Sequence, residues 1–404
     1  MAAVCYFGCF ALFPKRFFPL GVNHPSVWFL DSYAILASND ALALGRDVYA
    51  ANSLDYLGRP HVYSHWWLKL GQLGLTRADN GWIGFALGSL FFVAAVARLR
   101  PREPREIIWF LLVLCASSTL LAIDRANNDL VIFLLLTPVV PCLLASRWWV
   151  RLAAILPIAA AAGLKFYPAS AALVLLASAD RRHLRRRFGL ALLVLIAIGS
   201  NIWHDLLRVG PLLPKAEGLM TFSATKLIEL LGLARLETLG LAGAFMILTV
   251  VLFWRSSLFD RWEIASADQA DWLFFILGSV LLAGCFFTGD NFPYRWVFTI
   301  WLAPLLWRLP RDERAPVPVR RLAAVTAGLC LFVLWFDPFA SGVLNGLVGR
   351  YSAETIVRWA DRLLLAEQPV IWIFFACLLG FLTHFTRSGW RRIFGEERAA
   401  GEGN

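Results

Sequence analysis

Apolar runs of about 15 to 20 residues recur along almost the whole chain, and a helix of that length crosses a hydrocarbon core ~30 Å thick. Of the 404 residues, 59% are hydrophobic and only 16% are charged, which leaves too little polar surface for a protein in water. The sequence therefore predicts one all-α integral membrane domain over residues 1–404. It is polytopic, with about 11–13 transmembrane or re-entrant helices.

The apolar runs can be placed along the chain by hydropathy. They lie at 3–20, 81–97, 106–123, 129–145, 150–164, 168–179, 188–203, 238–254, 272–288, 295–308, 321–337 and 369–386. Pro14, Lys15 and Arg16 interrupt the first run, and no small-residue cleavage site follows it. This run is therefore interpreted as a short membrane helix and not as a signal peptide.

Arginine clusters assign the loops to the two sides of the membrane. Positive charge concentrates at 98–105, 181–187 and 308–321, and loops that stay in the cytoplasm retain such charge. Four apolar runs separate the first two clusters, an even number that returns the chain to the same side. Residues 150–179 form either two short spans or a shallow hairpin, and both versions place Lys165 on the outer side.

The same scheme predicts the remaining connections. Outer loops are expected at 31–80, which includes an amphipathic helix, at 204–237 and at 338–368, and a cytoplasmic tail is expected at 387–404. The loop at 255–271 fits less well, because parity makes it cytoplasmic although it holds two arginines against four acids.

Polar clusters outside the arginine loops all fall on the outer side. Ionisable groups at the ends of membrane helices are costly unless they pair or line a wet cavity, so their convergence predicts a functional site. The carboxylates suit a general base or a cation, and they are Asp31, Asp124, Asp129 and Asp290. The basic groups suit a phosphate, and they are Arg125, Lys165 and Arg295.

Further residues of these segments are expected to bind substrate beside Asp124, Asp129 and Asp290: Asn128, Tyr167, Tyr294 and His65. His61 and His65 have a metal-like spacing, but no third ligand is apparent, so no metal site is predicted. The seven cysteines show no CxxC pairing, and no nucleotide-binding motif is present. No cofactor is expected, and the basic loops are a topology signal instead of a nucleic-acid surface.

Each main candidate also has a structural interpretation. Asp31 precedes a helical pattern and can be its N-cap. Arg125 can form an interfacial ion pair with a neighbouring aspartate, and Lys165 can extend to the lipid headgroups. Arg295, behind a proline and a tyrosine, can be an interfacial anchor.

Five motifs, in this order and spacing, resemble the GT-C glycosyltransferases over residues of about 30–310, and most closely family 87, the polyprenol-phosphate-mannose-dependent α-mannosyltransferases. They are Asp31-Ser-Tyr33, Gly45-Arg-Asp-Val-Tyr49, Asp124-Arg-Ala-Asn-Asn-Asp129, Leu164-Lys-Phe-Tyr-Pro168 and Asn291-Phe-Pro-Tyr-Arg-Trp296. The resemblance implies a GT-C-like fold, a membrane-embedded cavity and a polyprenyl-phosphate sugar donor. It also implies that a carboxylate of the first outer loop is the catalytic base, a role that falls on Asp31.

With these roles, Asp31 would accept the proton of the acceptor hydroxyl while Arg295, Lys165 and Arg125 neutralise the departing phosphate, in a single inverting displacement. The expected partners are the lipid-linked donor, a glycan or glycolipid acceptor and membrane lipids, without nucleic acid. The expected location is the plasma (inner) membrane, with the site on the periplasmic or extracytoplasmic side. A transporter or lipid-linked-sugar flippase is the main alternative, and a structural assembly partner is another.

Overall fold

The computed structural model describes residues 28–177, 181–213, 221–233, 235–260, 262, 264, 268–289 and 291–394. Within these ranges the chain is helical and has no β-strand, only two isolated β-bridges. The predicted first run at 3–20, the candidate Asp290 and the last ten residues of the tail lie outside the described residues.

Fifteen α-helices follow one another along the described chain. They are α1 Leu30–Ala43, α2 Asn80–Leu99, α3 Pro104–Leu114, α4 Ser117–Asp124, α5 Asn128–Leu136, α6 Val139–Leu144, α7 Trp148–Ala153, α8 Ile155–Leu164, α9 Arg181–Val209, α10 Ala224–Leu230, α11 Arg235–Arg255, α12 Gln269–Thr288, α13 Thr299–Arg308, α14 Val317–Leu347 and α15 Ala353–Phe394. The longer 3-10 helices are His65–Leu73, Tyr167–Leu176 and Pro293–Phe298.

Six of the described helices are long and apolar enough to cross a membrane: α2, α9, α11, α12, α14 and α15. A seventh span results if α3 and α4 count as one, although the chain bends by 55° between them. These helices confirm the predicted all-α, polytopic membrane architecture.

Three predicted runs, at 129–145, 150–164 and 168–179, form shorter and broken helices. The first comprises α5 and α6, separated near Pro138; the second comprises α7 and α8; and the third is the 3-10 helix Tyr167–Leu176. Proline lacks the backbone N–H that continues an α-helix, and pieces of 10–17 residues are shorter than the roughly 20 residues that a full span needs. Hydropathy alone does not reveal such breaks.

Helix α12 lies at the centre of the bundle. Of its apolar window 83% is buried, against 17% for α9 and for α11, which present leucines and isoleucines outward as lipid-facing helices do. On one side of α12 the ring of Phe286 stacks on Phe375 at 4.0 Å. On the other side Gly278 allows α13 to approach closely, because a Cβ atom there would meet Leu302 at 2.3 Å.

Ion pairs join the ends of α2, α12 and α13 at one end of the bundle. Arg98 donates to Asp271 at 2.8 Å, and both side chains are buried. Arg308 donates to Asp271 and also to Glu106, the latter at 2.7 Å. The ends of α2 and α13 are therefore fastened to the start of α12.

Ion pairs with other loops explain why the segment 255–271 holds more acidic residues than arginines. Asp268 accepts from Arg102 at 2.9 Å and from Arg314 at 3.1 Å, so it neutralises arginines of the two neighbouring basic loops. The three loops thus lie at the same end of the bundle, as the parity argument requires.

The outer segment predicted at 338–368 is helical over most of its length. Helix α14 continues to Leu347 and α15 begins at Ala353, with Pro338 and Pro369 inside them. Only residues 348–352 connect the two helices. The apolar runs at 321–337 and 369–386 are therefore the central parts of longer helices.

Candidate functional site

The start of α1 is fastened to the turn after α4 by two backbone hydrogen bonds. Phe29 donates to the carbonyl of Asp124 at 2.9 Å, and Asp31 donates to the carbonyl of Arg125 at 3.0 Å. Phe29 and Ala126 both have positive φ, 60° and 43°, a conformation that costs non-glycine residues free energy. The fold thus holds these two chain segments together at the expense of local strain, as is common at functional sites.

Two glycines allow the segment before α2 to pack closely on the bundle. A Cβ atom at Gly84 of α2 would lie 2.1 Å from the ring of Phe29, and one at Gly163 of α8 would lie 2.2 Å from the ring of Trp66. The next residue, Trp67, donates its indole N–H to the carbonyl of Leu164 at 3.1 Å. These contacts position the segment from 28 to 73 against α2 and α8.

Asp31 is almost completely buried, with 4% of its surface exposed. One carboxylate oxygen, Oδ1, accepts from Arg59 at 3.3 Å and lies 3.8 Å from Arg125. The other oxygen, Oδ2, accepts from the side-chain amide of Asn127 at 2.6 Å. Helix α1 begins at Leu30, so Asp31 lies within its first turn, and the N-cap interpretation is wrong. The helix is buried on several faces.

Asp129 forms a second buried centre at the start of α5. Its Oδ1 atom accepts from the ammonium group of Lys165 and from the hydroxyl of Tyr167, the latter at 2.6 Å. Its Oδ2 atom lies 3.8 Å from Nε of Arg295. The negative charge at the N-terminus of α5 is also favourable for the helix dipole.

Asn127 and Tyr63 connect the two carboxylate centres. Asn127 caps α5 by accepting from the backbone N–H of Asp129 at 2.9 Å, while its amide donates to Asp31. Tyr63 lies close enough to Asp31, Asp129 and Arg295 to sense their charges. Burial and the charge of Asp31 raise the pKa of Tyr63, so the phenol keeps its proton as a hydrogen-bond donor. The two centres therefore form one site.

Arg59 is held in place by contacts within its own part of the chain, between α1 and α2. Asp55 accepts from it at 3.0 and 3.1 Å, and the carbonyl of Leu30 accepts from it at 2.8 Å. Burial opposes the charge of Arg59, but the hydrogen bonds to Asp55 and the carboxylate of Asp31 outweigh this and raise its pKa. Arg59 is therefore a fixed positive charge.

Arg125 and Arg295 are bound much less tightly. The nearest carboxylate oxygen lies 3.8 Å from each guanidinium group, whereas an N–H···O hydrogen bond measures about 2.7–3.2 Å. The Nε atoms of both are buried and have no hydrogen-bond partner among the described residues. Two guanidinium groups of this site therefore keep donor capacity for a bound anion.

The structural interpretations of the basic residues do not hold. Lys165 does not extend to the headgroups, because its side chain is 10% exposed and binds Asp129. Arg295 is 21% exposed and lies over the ring of Tyr167 at 5.1 Å, so it faces the site instead of the interface. Arg125 approaches Asp31 instead of a neighbouring aspartate.

Three further residues predicted to bind substrate are Asn128, Tyr294 and Asp124. Asn128 is buried, and its amide nitrogen has no hydrogen-bond partner among the described residues. Tyr294 is half-buried, and its ring lies 6.0 Å from the ammonium of Lys165. Asp124 is buried at the end of α4.

His65 belongs to a neighbouring cluster around Asp205, a residue of α9. Its Nδ1 atom lies 2.7 Å from Oδ2 of Asp205, which also accepts from the backbone N–H of His65 at 2.9 Å. The hydroxyl of Tyr49 donates to the other oxygen of Asp205 at 3.4 Å. The structure thus pairs His65 with Asp205 and not with Asp31 or Asp129.

His61 faces the protein interior. It is 2% exposed, and burial lowers its pKa to about 4, so the imidazole is neutral at physiological pH. Within the described ranges no group of three or more histidine, cysteine, aspartate or glutamate side chains is placed to hold a metal ion.

Four residues of the site and the neighbouring cluster were not predicted from the sequence. They are Arg59, Asn127 and Tyr63 at the carboxylate centres and Asp205 beside His65. Asn127 had a usable signal, since asparagine directly before an apolar run is a typical helix N-cap. Asp205 had a weaker one, as an acid near the outer end of a long apolar helix. Arg59 and Tyr63 had none, because their roles depend on how the loop folds back.

No family model, curated protein or solved structure matches this chain. The chemistry of the site therefore has to carry the functional assignment.

Proposed function

We propose that the protein is a membrane glycosyltransferase that takes its sugar from a polyprenyl-phosphate donor. The arrangement of Arg125 and Arg295 is the observation that carries this proposal. Both lie 3.8 Å from buried carboxylates, and both retain donors that the described residues do not use. Guanidinium groups with unused donors in a partly buried site are suited to the oxygens of a phosphate.

The surrounding residues support a phosphate that leaves during a reaction. Lys165 adds a third positive charge, half-enclosed by the rings of Tyr63, Tyr167 and Tyr294 at 5.8–6.0 Å. Positive groups that are already in position when negative charge develops lower the barrier without reorganisation. The resemblance of the motifs around these residues to GT-C family 87 supports the same chemistry and suggests mannose or another hexose or pentose.

Asp31 is proposed as the general base. The hydroxyl oxygen of the acceptor attacks the anomeric carbon, and its proton passes to Asp31. The bond between that carbon and the phosphate oxygen breaks, and the polyprenyl phosphate leaves with the electron pair. Arg125, at 3.8 Å, is the loosest partner of Asp31, so Oδ1 has room beside its hydrogen bond from Arg59 to accept the proton. A single displacement of this kind inverts the anomeric configuration.

The proposed site faces the extracytoplasmic side of the plasma membrane. It lies where α2 begins and α12 ends, whereas the arginine-rich loops lie at the opposite ends of these helices. Arginine-rich loops are retained in the cytoplasm, which puts the site on the other side. A polyprenyl-linked donor would reach it from the bilayer, and the acceptor would be a glycan or glycolipid.

A transfer assay with purified protein tests the proposal. The protein is incubated with labelled polyprenyl-phosphate mannose, then with other lipid-linked sugars, together with a cell-envelope lipid extract as acceptor. We expect label in a new glycan or glycolipid, an equivalent release of polyprenyl phosphate, and loss of both in the variant Arg125→Gln/Arg295→Gln.

The control variant is Arg314→Gln, an exposed arginine in the loop at the opposite end. Movement of intact donor across a reconstituted bilayer without cleavage would identify a flippase instead. Donor cleavage that the double variant does not reduce would remove the two arginines from the site.

A further inference from the structure

A cavity of about 380 Å³ lies between the turn before α7 and the first part of α9. Its lining combines the basic residues Arg151, Arg186 and Arg187 with the apolar residues Trp148, Leu152 and Leu190. No carboxylate is among the described residues of its wall. Cavities of this size accept small ligands or headgroups.

Two helical distances place this cavity far from the candidate site. The chain runs for 17 residues from Asn128, beside the site, to Leu144, beside the cavity, which corresponds to roughly 25 Å. On α9, Arg186 and Asp205 are separated by roughly 28 Å along the helix axis. The cavity therefore lies near the opposite membrane surface, at the level of the arginine-rich loops.

The guanidinium groups of the three arginines are arranged as in a binding site. Their role therefore goes beyond keeping the loop in the cytoplasm. Arg151 donates to the carbonyls of Ala145 and Ser146 at 2.5 and 3.3 Å, which fixes its position at the cavity rim. Arg187 is buried, with 3% of its surface exposed. Arg186 is exposed and has no ion-pair partner within the described part of the chain. A basic wall of this kind attracts an anion.

The apolar part of the wall indicates what carries that anion. Trp148 is 61% exposed and Leu190 is 41% exposed, although both adjoin a charged cavity. Exposed tryptophan and leucine beside clustered arginines are typical of the boundary between headgroups and acyl chains. A soluble anion would gain nothing from this apolar rim, whereas a phospholipid would cover it.

We propose that this cavity binds the phosphate-bearing headgroup of an anionic phospholipid from the cytoplasmic leaflet. The phosphate contacts Arg151, Arg186 and Arg187, and the acyl chains lie against Trp148 and Leu190. This site is independent of the proposed transferase chemistry. Its loss leaves the outer cluster of carboxylates and basic residues intact.

The test measures lipid affinity of the purified full-length protein in nanodiscs and detergent. Fluorescent phosphatidylglycerol and phosphatidylcholine are titrated, and inorganic phosphate and glycerol phosphate are used as soluble competitors. We expect tighter binding of phosphatidylglycerol, no competition by millimolar inorganic phosphate, and a loss of about five-fold in affinity for Arg186→Gln. The variant Arg151→Gln/Arg186→Gln should lose about 25-fold if the two contributions add.

Arg185→Gln is the matched control, because it removes the same charge from the same helix one residue away from the cavity wall. Equal losses in Arg185→Gln and Arg186→Gln would reduce the effect to general surface charge and overturn the proposal. Equal affinity for the two lipids would also overturn it. Displacement of the fluorescent lipid by inorganic phosphate would identify a phosphate-ion site instead of a lipid site. Thermal unfolding of each variant verifies that it folds, and the exposed position of Arg186 keeps the single variant informative.

Discussion

The side-chain amide of Asn127 donates a 2.6 Å hydrogen bond to the carboxylate of Asp31, across 96 positions of sequence. The carbonyl oxygen of the same side chain caps α5, the helix that carries Asp129. One asparagine thus sets the position of both buried carboxylates. Displacement of Asp31 is expected to affect the proposed reaction even when the fold is unchanged.

The variant Asn127→Ser separates these two roles. Serine caps a helix about as well as asparagine, but its hydroxyl is too short to reach Asp31. We expect a change in stability below about 1 kcal/mol and a decrease in kcat of about 10- to 100-fold, with a smaller change in donor KM. Thermal unfolding and transfer kinetics measure the two quantities.

Asn201→Ser, which removes a contact with Trp66 elsewhere on the outer side, should retain normal kcat. An unchanged kcat in Asn127→Ser would contradict the positioning role.

The variant Asp31→Asn tests the general base. Arg59 stays neutralised by Asp55 and can still donate to the carbonyl oxygen of the asparagine, so the fold is expected to persist although the new amide faces that of Asn127. The amide cannot accept a proton, so kcat should fall by roughly 10²-fold or more while the donor still binds. Single-turnover transfer and donor binding are measured on the same preparation.

Asp205→Asn is the comparison variant, since Asp205 is a second outer carboxylate paired with His65. It should retain more activity than Asp31→Asn. The reverse order would assign the base to His65 and Asp205. Normal activity in both variants would transfer the role to Asp124, Asp129 or Asp290.

The variant Arg295→Lys tests recognition of the donor phosphate. Lysine keeps the charge but loses the planar fork that binds two phosphate oxygens at once. We expect kcat/KM for the donor to fall by about 10- to 100-fold, and inhibition by free polyprenyl phosphate to weaken by a similar factor. Arg314→Lys, at the opposite end, should behave as the wild type. Equal inhibition of the Arg295→Lys and wild-type proteins would show that Arg295 does not contact the phosphate.

The sequence predicted the membrane helices well because hydropathy is a local property. Runs such as 81–97 and 272–288 correspond to α2 and α12 within a few residues. The break between α5 and α6 was not predicted, because an averaged hydropathy is insensitive to Pro138. The part of α15 before Pro369 was missed because its charged residues lower the averaged hydropathy.

The candidate site was partly predictable. Side assignment brought Asp31, Asp129, Lys165 and Arg295 to one surface, and the structure gathers them there. Their individual partners were not predictable, because each hydrogen bond depends on the packing of distant segments. His65 illustrates this, since the fold turns it toward Asp205 on α9.

The variant Asp271→Asn tests the inner ion-pair network as a structural element without a catalytic role. Asp271 neutralises the buried Arg98 and also binds Arg308. Removal of one partner leaves a buried charge uncompensated, so we expect a loss of roughly 3–5 kcal/mol in unfolding free energy. Asp312→Asn is the control, because Asp312 pairs with the mostly exposed Arg314 and should cost less than about 1 kcal/mol. Thermal unfolding in detergent measures both, and equal costs would contradict the structural role of Asp271.

His61 should make the outer segment sensitive to acid. Burial lowers its pKa from 6.5 to about 4, so between these values the unfolded chain binds a proton that the folded protein does not. Stability is therefore lost as the pH falls from 6.5 toward 4, by up to roughly 3 kcal/mol from this residue. In His61→Asn, whose amide does not titrate but is too short to replace the contact of Nε2 with the carbonyl of Ser64, the unfolding temperature should be lower at pH 7 and should decline less between pH 7 and pH 4.5 than in the wild type. His65→Asn is the comparison, since His65 is 34% exposed in its side chain and bound to Asp205. Identical pH profiles for wild type and His61→Asn would show that the buried imidazole does not contribute to the acid sensitivity.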